Sequence, residues 1–507
     1  MRERRCGMYL LGIDIGTSST KSAIFDTDGR CITQASKEYV FDSEKPGFAE
    51  QDPEVWWDAT VCSIKEAVQT GKIDIDQITA IGLSGQMHGL VALDENGKVL
   101  RNAILHCDVR AAKEAEEIKQ ISNGEIEKIA YNPVFPGFQG VSLYWMKKHE
   151  PEIYHKIYKV ICPKDYVRYK MTGIIGTEHT DASGTLLYDM KESCWSSRIF
   201  KILDLNEELV PAHIAKSYEV AGRLTESAAA ELGLTCKTVV AYGGADQAMH
   251  STGNGIYKSG VEMATIGTSG QVLRISDSPV FNESLNTHTF RHVSDNTWYG
   301  LGAVLFAGST LNWYRRVFCK NTSFETLSEE AEQIAPGSDG LVFFPCLGGE
   351  RTPYMDPLAK GAFLGISVMH DKRHFARAIM EGVSFAMKCS IQKINELYGD
   401  ADSLICAGGG VKGNVWAQIQ ADIYNQNIQV SSIKEQACLG AAIMAGIGCG
   451  SFDSLKDACE KMCDADMKTV VPEQQYVSAY ERIYRDVYLK IYDANKEIFK
   501  TISEITE

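Results

Sequence analysis

The sequence predicts an α/β protein built from two related halves, and three observations predict it. The tetrapeptide Ile-Gly-Thr-Ser occurs twice, as Ile15-Gly16-Thr17-Ser18 and Ile266-Gly267-Thr268-Ser269, almost half of the 507-residue chain apart. Each copy lies between strand-like segments: Tyr9 to Ile15 and Lys21 to Phe25 in one, Val261 to Ile266 and Gln271 to Ile275 in the other. Strands lead and helices follow in both halves, which fits duplicated α/β domains. A strand, a tight Gly-Thr-Ser turn and a returning strand form a hairpin whose tip offers backbone N–H groups and hydroxyls to phosphate oxygens. Two such tips, one per half, point to two domains closing on one polyphosphate.

In chain order, the first hairpin is followed by the turn Asp26-Thr27-Asp28-Gly29 and a third strand, Cys31 to Phe41. Asp52-Pro53 starts a helix, Asp as cap and Pro at the first helical position. Val55, Trp56, Ala59, Cys62, Ile64 and Ala67 give that helix its apolar stripe. A strand from Ile78 to Leu83 leads into the loop Ser84 to Gly89, and Leu90 to Leu93 with Val99 onward reads as a further hairpin around Glu95-Asn96-Gly97. Segment 110–235 is mostly helical. Strand Thr238–Ala241 ends in Gly243-Gly244-Ala245-Asp246. The second half adds strand Leu341–Pro345, the loop 348–353, a helix from His374 to Asn395, strand Leu404–Ala407, Gly408-Gly409-Gly410 and a helix from Asn414 to Tyr424. The boundary falls between 247 and 260, placing the domains at 1–254 and 255–507, the second with a charged amphipathic tail from about 454.

Composition is that of an ordinary globular protein, 44% hydrophobic and 23% charged. The formal net charge of −15 argues against a nucleic-acid or anionic-membrane binder. A single nucleotide needs only local donors, so that class stays open. Fifteen cysteines are scattered without a CxxC pair, no secretory signal is evident, and no apolar run reaches membrane-spanning length. Reduced thiols in the cytoplasm are the expectation.

Four motifs carry chemistry. Asp14, at a strand end beside the first phosphate cradle, suits Mg²⁺, a hard cation that prefers oxygen ligands. Asp246, after two glycines, suits the proton acceptor of an attacking hydroxyl in phosphoryl transfer. Gly408 to Gly410, between strand and helix, lets phosphate or adenine approach the backbone, although the loop matches neither GxxxxGK[ST] nor GxGxxG. Met87-His88, in a glycine-flanked loop, could touch a small polar substrate, whereas a lone loop histidine is more often a local hydrogen-bonding residue. The aromatics Trp56, Trp57 and Trp145 read as core.

Together these motifs resemble the FGGY carbohydrate kinases, from about Tyr9 to Gly448. Gly361 to Ile366, seven intervening residues, then His374-Phe375 and Ala378 to Glu381 meet the family's C-terminal signature. Within the family the sequence is most similar to the xylulokinases. That likeness rests on Glu50-Gln51-Asp52-Pro53 with Trp56-Trp57, Gly85 to Gly89, Pro163 to Tyr166, Gly349 to Pro353, and the pair His288, His292. The resemblance implies two duplicated actin/Hsp70/hexokinase-like (ribonuclease H-like) domains with a ligand cleft between them. It implies transfer of the ATP γ-phosphate to a ketopentose, D-xylulose before ribulose-like sugars or polyols. An actin- or Hsp70-like ATPase switch is the rival from another class. By resemblance, Asp246 is the catalytic base and Asp14 organises Mg²⁺. Thr17, Ser18, Gly267 and Thr268 handle phosphate, and Gly409, Gly410 and Asn414 lie on the adenine side. Met87, His88, His106, Asp108, Asp246 and Gln247 contact the sugar. The chain departs from the family pattern at His106, where an aromatic is usual, at Gln247, where Asn is usual, and at Ser142, where Lys is expected. The expected partners are sugar and ATP, with no nucleic acid or membrane and with a homodimer as an option.

Overall fold

The computed structural model describes residues 8–463 and 467–506. Two seven-stranded mixed sheets dominate it. The first runs in the order Val220–Arg223, Val239–Ala241, Ile78–Gly85, Tyr9–Ile15, Ser19–Asp26, Cys31–Glu38, with Gly244–Ala245 also paired to Ile78–Gly85. The second runs His288–Arg291, Trp298–Val304, Gly270–Ser276, Val261–Ile266, Ser403–Gly408, Ile428–Val430, Lys468–Val470. The same unit recurs in both. A hairpin strand is antiparallel to its return, the return carries a further antiparallel strand, and two parallel strands follow on the other side. The duplication read from the two tetrapeptides is therefore a duplication of sheet topology.

Strand Tyr9–Ile15 is apolar almost throughout because both of its faces are covered. Leu11, Ile13 and Ile15 pack with Trp56 and Ile64 of helix Pro53–Gly71, while Leu10 joins the cluster of Cys438, Ala441 and Met444 from helix Gln436–Gly448. The Asp52 carboxylate accepts the Glu54 N–H at 3.0 Å, so the predicted cap forms.

Helix Gln436–Gly448 comes from the second half of the chain but packs on the first sheet. Gly12 and Gly82, paired across neighbouring strands, make that approach possible. A Cβ on either would lie 1.8 Å from a helix carbonyl, of Cys438 or Ala441. The same helix lies close along Asp246–Gly253, where His250 Nε2 meets Gln436 Oε1 at 2.6 Å. Lys21 and Glu435 add an ion pair at 3.2 Å. This crossing was not legible as an amphipathic pattern because the helix is apolar on all sides.

Two local readings change. The turn Asp94 to Gly97 forms, but Leu93 and Val99 share only an isolated bridge, and Val91–Leu93 pairs instead with Lys159–Ile161. The third strand ends at Glu38 rather than Phe41. Helix Leu489–Thr506 of the tail packs on Phe344 and Tyr354 through Phe499 and Tyr492, and helix Gln474–Ile483 with the turn after it packs on Phe385 of helix Lys372–Tyr398. Tyr480, Tyr484 and Tyr488 are buried there, and the Tyr480 hydroxyl donates to Glu381 at 2.7 Å. Among the described residues no helix is long and apolar enough to cross a membrane.

Candidate active site

Three neighbouring strands deliver chemistry at one edge of the first sheet. Asp14 lies opposite Ser84, and Ala245, just before Asp246, lies opposite Gly85. The strand between them runs on into Gln86, Met87 and His88. Two strand spacings separate Asp14 from Asp246, roughly 10 Å between backbones. Ligands of α/β sheets gather at such carboxyl ends. Gly243 makes the last turn possible, with φ +74 and a hypothetical Cβ 2.0 Å from Leu83 O.

The two carboxylates feel each other. Ser84 Oγ donates to Asp14 Oδ1 at 2.7 Å. Burial raises the Asp14 carboxyl above its ordinary value, opposed by Ser84, Lys21 and His250. Asp246 begins helix Asp246–Gly253 and accepts the Gln247 N–H at 2.7 Å. Burial first, and then the charge of Asp14, push its carboxyl up to about 7. A carboxylate poised there exchanges a proton near neutral pH, as a general base must.

Both hairpin tips have their carbonyls engaged. In the first, Tyr39 OH donates to Gly16 O (2.7 Å), Gln51 Nε2 to Thr17 O (2.8 Å) and Tyr39 N to Ser18 O (2.9 Å). In the second, Gly308 N donates to Gly267 O (2.8 Å), while Ala307 N and Ser309 N both donate to Thr268 O (3.1 Å each). The amides of Thr17, Ser18, Thr268 and Ser269 find no acceptor among the described residues. Pinned carbonyls and free amides make an anion nest. The tips differ by one residue, since Ile15 pairs with Thr20 but Ile266 with Gly270. Only the first carries a carboxylate, because Thr265 stands where the first strand has Asp14. Gly408 and Gly410 lie against Ile266. Asn414, in the first turn of helix Asn414–Tyr424, accepts from Lys468 Nζ at 2.8 Å.

Met87 and His88 lie in a buried aromatic cluster. The His88 ring lies 4.6 Å from Phe138 and 5.6 Å from Phe290, its Nδ1 is 2.6 Å from Gly184 O, and Tyr299 OH reaches Met87 Sδ at 3.8 Å. Burial drives the imidazoles of His88 and His288 down to about 3 and that of His106 to about 4. All three rings are neutral at pH 7. His106 Nδ1 and Gln247 Oε1 are buried without a hydrogen-bond partner among the described residues.

Asp108 corrects the sugar-contact expectation. It is buried, and its oxygens accept from Ala49 N (2.6 Å), Arg110 N (2.9 Å) and the Arg110 guanidinium (2.7 to 3.0 Å). No lone pair is left for a hydroxyl, so Asp108 fixes the loop that carries His106.

Sequence reasoning gave no role to the support beneath Asp246. Ala245 N donates to Thr180 Oγ1 (2.7 Å), which donates to Glu178 (2.8 Å). The fully buried Lys164 ammonium donates to Asp165 (2.8 Å) and Tyr242 O (3.3 Å) and lies 3.2 Å from Asp181. Cys162, Asp165 and Asp181 have a metal-like spacing, but Lys164 already supplies the positive charge there. Arg351 belongs to the Gly349 to Pro353 segment and carries no role of its own in the sequence pattern. Signals for these residues existed in Pro163-Lys164-Asp165 and Gly349-Glu350-Arg351, without a physical reason legible from sequence.

Residues 9–253 match the N-terminal domain of the FGGY family of carbohydrate kinases, and residues 263–449 its C-terminal domain. A xylulose kinase of Bacillus subtilis (strain 168) is 36% identical over 97% of this chain and 98% of its own. A gluconokinase of the same organism is 30% identical over 90% of each. The crystal structure of ligand-bound xylulose kinase from Lactobacillus acidophilus superposes with a TM-score of 0.91 at 27% identity, covering 98% of this chain and all of that one. Duplicated sheets, paired carboxylates and full-length similarity agree: the chain belongs to the FGGY family of carbohydrate kinases.

Proposed function

We propose that this kinase phosphorylates D-xylulose, giving D-xylulose 5-phosphate, with ATP as donor. The observation that carries the reading is Asp246, a carboxylate raised to about 7 at the edge shared with Asp14 and the first hairpin. In this reading residues 1–254 supply the sugar pocket and base, and residues 255–507 supply the second phosphate cradle and the adenine side. Thr17, Ser18, Gly267 and Thr268 hold phosphate oxygens, and Gly409, Gly410 and Asn414 flank the base. Met87, His88, His106 and Gln247 orient the sugar. The terminal hydroxyl gives its proton to Asp246 as its oxygen bonds to the γ-phosphorus and the bond to ADP breaks.

The donor set also fits Mg²⁺: one Asp14 oxygen is bound by Ser84, the other is free, and both carboxylates lack a full counter-charge. Asp14 would hold the ion directly or through water, and the ion would neutralise triphosphate charge. Positioning and preorganised electrostatics supply most of the rate in such a site. The xylulose kinase relatives favour the sugar, and the departures His106 and Gln247 make the choice testable. In a panel of ketoses, aldoses and polyols, D-xylulose is expected to give the highest kcat/KM for ADP release. Preference for ribulose would correct the sugar. Release that no acceptor stimulates would instead support an ATPase switch.

A further inference from the structure

The C-terminal tail lies beyond residue 449, where the FGGY family match ends, and one of its residues is not needed to anchor it. Phe499 stacks on Phe344 at 6.3 Å, and Tyr480, Tyr484 and Tyr488 pack on Phe385 at 5.1 to 6.1 Å. Those buried rings already fix the tail on the second half. Tyr492 is different. It is partly buried, its ring stacks on Tyr354 at 4.1 Å, and its hydroxyl donates to Asp356 Oδ2 at 2.9 Å. Both partners belong to one loop, residues 349–356.

That loop connects the tail to both sides of the site. Asp356 and Glu350 form a bridge, N–H to carbonyl in each direction, at 2.8 and 2.9 Å. The buried Glu350 carboxylate accepts from Leu305 N and from Arg351 N, each at 2.8 Å. Leu305 stands two residues before Ala307, whose N–H binds Thr268 O in the second hairpin tip. Thr352 fastens the loop to the same strand: its N–H donates to Ala303 O at 2.9 Å, and its hydroxyl accepts from Ala303 N at 3.1 Å. On the other side the Arg351 guanidinium, with Glu350 as its counter-charge, lies over the Phe135 ring at 5.2 Å. Phe135 and Phe138 share one turn, and Phe138 packs on His88 (4.6 Å) and His288 (6.1 Å). One short loop thus supports the Thr268 tip through Glu350 and the His88 cluster through Arg351. A loop carries function only as precisely as its scaffold holds it, and a misplacement of about 1 Å far from the chemistry is enough to cost affinity and rate. A stacked ring pair and a hydrogen bond to a carboxylate are contacts that hold such a loop.

We propose that Tyr492 is a positioning residue for the phosphoryl transfer: through Tyr354 and Asp356, helix Leu489–Thr506 holds Glu350 and Arg351 in place and so sets the binding of both ATP and sugar. This rests on reading the Thr268 tip as a phosphate cradle and the His88 cluster as the acceptor site. Tyr492 acts through the loop alone and takes no part in the proton transfer to Asp246.

The test uses the full chain with ATP, Mg²⁺ and D-xylulose, or whichever sugar of the panel reacts fastest. Tyr492→Ala is expected to raise the KM of both substrates about tenfold, and Tyr492→Phe, which keeps the stack and loses one hydrogen bond, about threefold. A purely structural loss would lower the fraction of active enzyme, and with it kcat, at unchanged KM. Asp356→Ala completes a double-mutant cycle: its effect on KM should shrink in the Tyr492→Phe background, because both changes remove the same bond. If Tyr492→Ala does not fold, Tyr492→Phe and the cycle decide alone. Unchanged KM in the folded variants, a rise confined to one substrate, or effects of Tyr492→Phe and Asp356→Ala that simply add would overturn the proposal. Any of these in an active wild-type kinase sinks this inference only. A wild type that phosphorylates no sugar would sink the reading of the site itself.

Discussion

Asp246→Asn is expected to lower kcat by about 10²- to 10⁴-fold, the range general-base catalysis contributes, while ATP binds as before. Asn keeps the shape and can still accept the Gln247 N–H through its carbonyl, so the start of helix Asp246–Gly253 stays in place. What is lost is the capacity to take a proton. The pH profile supplies the second half of the result. A carboxyl raised to about 7 is protonated below that value and cannot act as base, so wild-type kcat/KM should fall towards tenfold per pH unit on the acid side. The residual rate of the variant should lack that limb. Steady-state kinetics across pH with calorimetric ATP titration would show both. A variant with near-normal turnover, or a wild type with no acid limb near neutrality, would remove Asp246 from the role.

Asp14→Asn is expected to cost about 100-fold or more in kcat at neutral pH, comparable with the removal of one preorganised electrostatic contact, and to raise the Mg²⁺ concentration needed for half-maximal rate. It should also move the acid limb in the opposite sense from a general loss of function. The charge of Asp14 is the second cause of the raised Asp246 carboxyl, so removing it lets Asp246 ionise at lower pH. The variant should be slower at its optimum yet keep its plateau to a lower pH. A slower enzyme with an unmoved limb would mean that the two carboxylates are not coupled.

The sequence carried the duplication because a repeated tetrapeptide between apolar strands is a local pattern, and pairing such as Ile15 with Thr20 follows from it. Asp14 and Asp246 stood out as candidates for a similar local reason, each two residues from a glycine at the end of a strand. The crossing of helix Gln436–Gly448 was not, because Gly12 and Gly82 are meaningful only once the helix lies on them. Asp108, given to the sugar by resemblance alone, is spent on Ala49 N and Arg110, a pairing visible only once Arg110 folds back on it. Lys164, Thr180 and Arg351 show the same limit. Their partners, Tyr242, Ala245 and Phe135, are distant in sequence, and only folding brings them together.

A ternary structure with a non-hydrolysable ATP analogue and D-xylulose would show whether both hairpins grip one triphosphate beside Asp246. The γ-phosphate should lie between the amides of Thr17–Ser18 and those of Thr268–Ser269, with an Asp246 oxygen at hydrogen-bonding distance, about 3 Å, from the terminal sugar hydroxyl. A triphosphate held by one hairpin alone, or a sugar whose hydroxyls all lie away from Asp246, would contradict it.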